Sequence, residues 1–259
     1  MAINKIGDLV FKRKTDKKNT TEAKYTLLSD GTSFHVKEAY KAMRTNVMFS
    51  VPDDGCKVIA VTSAVPGEGK STTVINLAIT FAQTGTRVLL IDADMRRPNI
   101  KRILSAGDGI GLSEILAKFV KAEEAIHSSG YDKLDVIFSG NVPPNPVELL
   151  GSDNMQAMIE ELKGKYDYIF IDTPPINVVT DATVVSRLLH GIILVARENK
   201  SKKDEVTEAL NKLRFVNAKV LGLVLNDKMY QSKRGGYYGK YGKYGRYRHY
   251  YREYGNEND

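Results

Sequence analysis

The stretch VTSAVPGEGKST, residues 61–72, constrains this chain more than any other. It follows KVIAVTSA (57–64), an apolar run that suits a buried strand, and it opens KSTTVINLAITFAQTG (70–85), whose apolar residues recur at helical spacing as far as Gly85, a C-cap residue. Strand, glycine-rich loop and helix, with Gly-Lys-Ser at the junction, is the context a phosphate-binding loop requires. The usual pattern is G-x-x-x-x-G-K-[ST], and Ala64 stands here at its first glycine. Gly67 and Gly69 let backbone N–H groups come close to phosphate oxygens, and the helix N-terminus adds partial positive charge. Lys70 is placed to reach the β- and γ-phosphates, and the Ser71 hydroxyl to ligate Mg²⁺. Pro66, Gly67, Glu68, Gly69, Lys70, Ser71 and Thr72 therefore form the candidate nucleotide cradle. A plain glycine-rich turn with an exposed lysine is the competing reading, and the strand–helix context speaks against it.

The rest of the chain repeats the same rhythm. Apolar runs at 87–94, 134–140, 166–175, 191–197 and 218–226 alternate with helix-like runs at 112–128, 153–164, 181–189 and 202–215. A further helix is expected over 34–51, where Ala39, Met43 and Val47 share a face. The fold class is α/β: a mostly parallel, doubly wound sheet with helices on both faces, of P-loop NTPase type. One domain is expected over 34–230, preceded by a polar, flexible arm (1–33) and followed by a disordered tail (231–259). Asp92 and Asp94 end one apolar run and Asp172 another; carboxyl ends of parallel strands are where ligands bind in such sheets. Those carboxylates are candidates to meet a Mg²⁺ at Ser71, with Asp94 and Asp172 as metal ligands and Lys70, Asp92, Asp94 and Asp172 as the catalytic set. Arg96 and Arg97 next to them suit either a transferred phosphate or a salt bridge within the fold.

Charge and cysteine usage narrow the setting. The single cysteine, Cys56, excludes a disulfide framework and fits a reducing compartment. No apolar run approaches the roughly 20 residues of a membrane helix, and the first residues lack the pattern of a signal peptide, so a cytoplasmic protein is expected. Of the net charge of +7, +5 lies in residues 228–259, which hold eight Lys/Arg and three Asp/Glu. That tail also holds eight of the 14 tyrosines between Tyr237 and Tyr254. Basic residues interleaved with aromatics can bind single-stranded nucleic acid, but beside a phosphate-binding loop nucleic acid is not the favoured partner.

DADMRRP (92–98) resembles the Walker A′ motif, and IFIDTPP (169–175) the Walker B motif, of the bacterial tyrosine kinases, P-loop proteins related to the MinD/ParA ATPases. SGNVPPNPVELLGSD (139–153), PPINVVTDA (174–182) and the terminal tyrosine cluster are similar to the same family, so the resemblance covers residues 34–255. It implies an ATP-dependent protein-tyrosine kinase that autophosphorylates between subunits, with Tyr237, Tyr238, Tyr241, Tyr244, Tyr247, Tyr250, Tyr251 and Tyr254 as phosphoacceptors. It also implies Asp92 as the base for the incoming phenol, although sequence does not separate Asp92 from Asp94, and a purine contact at Asn226. The absence of an N-K-x-D element favours ATP over GTP.

The family's E-x-x-R-x-x-R oligomerisation motif aligns with Glu38, Lys41 and Arg44; Lys41 keeps the charge but loses bidentate geometry. The implied partners are other copies of this chain in a ring, a membrane activator of the polysaccharide co-polymerase kind that holds the kinase at the inner face of the membrane, and a phosphotyrosine phosphatase. The implied process is capsular or exopolysaccharide synthesis and export. The alternative is a MinD/ParA-like ATPase acting as a nucleotide-gated assembly or positioning switch; such ATPases carry a signature lysine where Val65 stands here.

Overall fold

The computed structural model describes residues 27–107 and 109–227. In chain order the elements are α1 (Phe34–Ser50), β1 (Lys57–Ser63), α2 (Lys70–Ala82), β2 (Val88–Asp92), α3 (Ile100–Ile103), α4 (Leu112–Leu116), β3 (His127–Tyr131), β4 (Leu134–Ile137), α5 (Pro146–Leu150), α6 (Asp153–Lys163), β5 (Tyr168–Asp172), α7 (Asp181–Val185), β6 (Gly191–Arg197), α8 (Lys203–Phe215) and β7 (Val220–Asn226). The seven strands form one sheet in the order β3-β4-β2-β5-β1-β6-β7, and every pairing is parallel except β3 with β4.

The central strands are buried on both faces, which explains why they read as unbroken apolar runs. Alternate residues feed two cores. Val58 and Ala60 of β1, with Leu89, Ile91, Ile169 and Ile171, pack under α4 to α8. Ile59 and Val61, with Val88, Leu90 and Phe170, pack under α2 and its neighbours. α2 is the central helix: it covers the sheet and is itself covered by α1, so nearly all its residues are buried, including the polar Thr73, Asn76 and Thr80.

Two expectations are corrected. The run 112–128 is not one helix. It breaks into the short α4, a 3-10 turn at Ala122–Ala125 and the start of β3, with Lys118 at φ +62 ending the first helix. A left-handed residue interrupts the helical hydrogen-bond ladder, and β3 then finds its partners on β4. Residues 27–33 are not part of a flexible arm: Leu28 is buried in the α2 core and its N–H donates to Asn76 Oδ1 at 2.8 Å. The tyrosine-rich tail, Tyr237 to Tyr254, lies outside the described residues, as do residues 1–26. Among the described residues no helix is long and apolar enough to cross a membrane.

Candidate nucleotide and phosphotransfer site

β1 delivers the loop at 64–69 to the carboxyl edge of the sheet, where α2 begins. The two glycines that the backbone needs are Gly67 and Gly69, at φ +77 and +92. Ala64 lies outside the left-handed region, so the first position of the motif tolerates a methyl group. A Cβ on Gly69 would collide with the Asn226 amide, and one on Gly67 with the Lys200 ammonium. The loop is braced from behind. Glu68 is fully buried, and its carboxylate accepts from the Val65 N–H at 2.9 Å and from the Ser201 hydroxyl. The Glu68 side chain therefore faces the protein, and only its backbone faces the cleft. Asn226 Nδ2 donates to Glu68 O at 2.9 Å and Thr73 Oγ1 at 3.0 Å, and Arg197 donates to Gly67 O at 3.2 Å.

Strand register puts the acids together. Asp172 pairs with Val61 on one side and with Asp92 on the other, so two carboxylates end adjacent parallel strands. Lys70 Nζ lies 2.8 Å from Asp94 Oδ2 and 3.3 Å from Asp172 Oδ1. Ser71 Oγ donates to Asp172 Oδ2 at 2.5 Å. Asp92 stands apart from this cluster: its Oδ1 accepts from the Asp94 N–H at 3.2 Å and its Oδ2 from the Ile100 N–H at 3.1 Å. It is fully buried and braces the loop after β2, whereas Asp94 lines the cleft.

Electrostatics follow from burial. Burial and the adjacent Asp172 carboxylate push Asp92 up to about 8, against the pull of Lys70. Burial also raises Asp172, opposed by Lys70 and Ser71. Burial alone lowers the Lys70 pKa, but Asp172 and Asp94 outweigh it and hold the ammonium above the ordinary lysine value. Buried carboxylates whose ionisation burial opposes, beside the Ser71 hydroxyl, suit a divalent cation as added counter-charge. Among the described residues no group of three His, Cys, Asp or Glu side chains is arranged to hold a metal alone. Ser71, Asp94 and Asp172 instead offer a few hard oxygens, the donor set Mg²⁺ takes when phosphate and water complete its shell.

The cleft measures about 1550 Å³ and is lined by Pro66 to Thr73, Asp94, Arg96 and Asn226. Of the oligomerisation candidates, Glu38 and Lys41 pair with each other at 2.8 Å on the exposed side of α1, and Arg44 donates to Thr80 O at 2.8 Å, tying α1 to α2. Sequence reading missed the brace of Glu68 by Ser201, and it allowed Arg96 a salt bridge within the fold without naming Asp181 as the partner; both contacts join residues about 85 or more positions apart.

Loop, helix and strand-end carboxylates together define a P-loop nucleotide-binding protein of the α/β class. The family described as an AAA domain matches residues 56–217. The tyrosine-protein kinase YwqD of Bacillus subtilis is 41% identical over 203 residues, 78% of this chain and 86% of that protein. The kinase domain of the Escherichia coli tyrosine kinase ETK superposes with a TM-score of 0.73 at 34% identity, covering 78% of this chain and 80% of that one. MinD of Pyrococcus horikoshii, solved with Mg-ADP, is more distant: TM-score 0.56 and 27% identity, over 66% of this chain and 70% of that one. The chain belongs to the bacterial tyrosine-protein kinases, enzymes that move phosphate from a nucleotide to protein tyrosine.

Proposed function

We propose that this kinase phosphorylates the tyrosine cluster of its own C-terminal tail, Tyr237 to Tyr254, on a neighbouring copy of the chain. The observation that carries the reading is the convergence of Lys70, Ser71, Asp94 and Asp172 on one point of the cleft. Lys70 and the backbone N–H groups from Gly67 to Thr72, in the loop that Pro66 opens, hold the phosphates of ATP, and Asn226 is the candidate purine contact. Ser71, Asp94 and Asp172 would hold Mg²⁺, which when bound neutralises charge on the β- and γ-phosphates. The phenol oxygen forms its bond to the γ-phosphorus as the bond to the bridging oxygen breaks. That oxygen leaves with ADP, and the phenol proton passes to a carboxylate of the loop after β2. Asp94 lines the cleft, with Oδ1 accepting one backbone N–H and Oδ2 on Lys70, and as acceptor of that proton it would hold Mg²⁺ through water; Asp92 reaches the phenol only by giving up two backbone N–H partners.

The last described residue, Asp227, pairs with Arg197, which also donates to Gly67 O, so residue 227 lies at the rim of the loop. Each phosphate adds about −1.5 to −2 charges at neutral pH, so three or four would cancel the tail's +5. Charge reversal is then a switch: the unmodified tail docks on a neighbour and supports a ring through α1 (Glu38, Lys41, Arg44), and the modified tail is repelled. A membrane activator that completes the nucleotide site, a phosphatase that resets the tail and a place in capsular or exopolysaccharide synthesis and export complete the proposal.

The positioning-ATPase reading is disfavoured by Val65, an apolar side chain packed against the core where those ATPases carry lysine. The test is phosphosite mapping by mass spectrometry after incubation with MgATP, with and without a fused activator segment. Lys70→Met and a chain truncated after Gln231 are the controls. Phosphotyrosine between Tyr237 and Tyr254 that Lys70→Met abolishes is the expected result. ATP hydrolysis with no phosphotyrosine under either condition would favour the positioning ATPase.

A further inference from the structure

Thr73, Asn76 and Thr80 are buried polar residues at i, i+3 and i+7 of α2, so they share the face that α1 covers. Buried polar groups destabilise a fold unless they are hydrogen-bonded, and here each has a partner. Asn76 Nδ2 donates to the Tyr40 hydroxyl oxygen of α1 at 3.2 Å, and Asn76 Oδ1 accepts from the Leu28 N–H. Thr80 Oγ1 donates to Asn76 O at 2.7 Å. The Thr73 hydroxyl also donates to Tyr40. At the far end of this seam, Thr73 Oγ1 accepts from Asn226 Nδ2 at 3.0 Å, and the second N–H of that amide goes to Glu68 O at 2.9 Å. A backbone carbonyl only accepts, so the nitrogen of the Asn226 amide faces the glycine loop and its oxygen faces away from it. Asn226 Oδ1 has no partner among the described residues, and Asn226 and Tyr40 both line the cleft.

We infer that Tyr40 is a positioning residue of the nucleotide site: through Thr73 it holds the Asn226 amide with its oxygen presented to the base. Tyr40 settles the Thr73 hydroxyl. A helical threonine can instead donate to the carbonyl four residues back, which is that of Gly69, and this rotamer turns Oγ1 away from Asn226. An amide oxygen accepts, so the contact selects a base that offers a donor, as the exocyclic amine of adenine does and a ring carbonyl does not. Tyr40 acts on Thr73 and Asn76 rather than on the base. α1 thereby belongs to the nucleotide site through one face, while Glu38 and Lys41 pair with each other on its exposed side. The inference rests on reading Asn226 as the purine contact, and its test scores that reading separately.

The experiment measures, by titration calorimetry on the full chain, the affinity for MgADP and for the magnesium complex of inosine diphosphate, which carries oxygen in place of the amine. The proteins are wild type, Tyr40→Phe, Thr73→Val, Thr73→Ser, Asn226→Ala and Tyr40→Phe/Asn226→Ala. Tyr40→Phe keeps the ring and Thr73→Val keeps the shape, so the two variants reach the same hydrogen bond by independent routes. The expected result is a wild-type preference for MgADP that falls by about threefold or more in Tyr40→Phe and in Thr73→Val, the scale of one neutral hydrogen bond. Affinity for the inosine nucleotide should stay within about twofold, Thr73→Ser should keep the preference, and Tyr40→Phe should change nothing further in the Asn226→Ala background. Equal weakening of both nucleotides in Tyr40→Phe would overturn the inference, since it marks a brace between helices and nothing more. So would a Tyr40→Phe effect that persists without Asn226. A preference lost in Asn226→Ala but kept in Tyr40→Phe and Thr73→Val overturns this inference alone. A preference that Asn226→Ala leaves unchanged overturns the purine reading of Asn226 and this inference with it.

Discussion

Lys70 Nζ lies 2.8 Å from Asp94 Oδ2, and that one contact ties the start of α2 to the loop after β2. Lys70 also reaches Asp172, so its ammonium is the shared counter-charge of two buried acids. Lys70→Met should therefore abolish phosphotransfer and destabilise the fold. Removing one partner of a buried ion pair costs about 3–5 kcal/mol. Urea unfolding should recover part of that loss in Lys70→Met/Asp94→Asn, where one stranded carboxylate is neutralised. A double variant no more stable than the single one would show that Asp94 is not paired in solution.

The hydroxyl of Ser71 and the carboxylate of Asp172 are 2.5 Å apart, close enough to share one cation between them. Ser71→Ala and Asp172→Asn should each remove most of the gain in ATP affinity that Mg²⁺ gives over EDTA. The double variant should lose little more than either single one, since groups acting as a unit are not additive. Calorimetric titrations with and without Mg²⁺ measure this directly. Fully additive losses would assign the two residues to separate tasks.

Asp92 and Asp94 are two residues apart but occupy different environments. Asp94 lines the cleft, with Oδ1 accepting from the Arg97 N–H and Oδ2 paired with Lys70, whereas both oxygens of Asp92 accept backbone N–H groups. Asp94→Asn should cut the rate of phosphate transfer by about 100-fold or more, a loss within the range for a group that takes a proton, and should lower the melting temperature less than Lys70→Met does, because Asp172 still pairs with Lys70. Asp92→Asn should lower the melting temperature, because an amide nitrogen replaces one of two acceptors facing N–H donors. Single-turnover transfer and thermal melts on both variants separate the roles. A larger rate loss in a stable Asp92→Asn would restore Asp92 as the base.

The central strands were legible because they are buried on both faces and thus carry unbroken apolar runs; Lys70, Ser71, Asp94 and Asp172 were legible because they stand at the ends of those runs. β3 was not. Its residues, His127 to Tyr131, are polar and half exposed at the sheet edge, and its pairing with β4 depends on a tight reversal with Lys133 at φ +60. Helical spacing in 112–128 masked it, since Leu112, Ile115 and Leu116 do occupy one helical turn before Lys118 ends it. The Arg96–Asp181 pair escaped for another reason. Each residue belongs to a recognisable motif, but which of the two adjacent arginines meets the buried acid is decided by the crossing of two loops, and no local pattern encodes that.

A pH-sensitive contact lies far from the cleft, at the opposite end of β1. The ring of His190 accepts a hydrogen bond at Nδ1 from the buried N–H of Val58, at 2.9 Å, so the ring must be neutral there. Burial, and then the nearby Lys163 and Lys57, hold its pKa below the ordinary histidine value. Between the folded and the ordinary value the unfolded chain binds more protons than the folded one, so stability rises with pH across that window. The contribution is present above the ordinary value, near 6.5, and is lost as pH falls through the window. The melting temperature of the wild-type protein should therefore drop between pH 7 and pH 5 more steeply than that of His190→Asn, whose Oδ1 can accept from Val58 and does not titrate. Parallel melting curves for the two proteins would mean that His190 keeps the same protonation in the folded and unfolded chain, and that the Val58 contact is not pH-dependent.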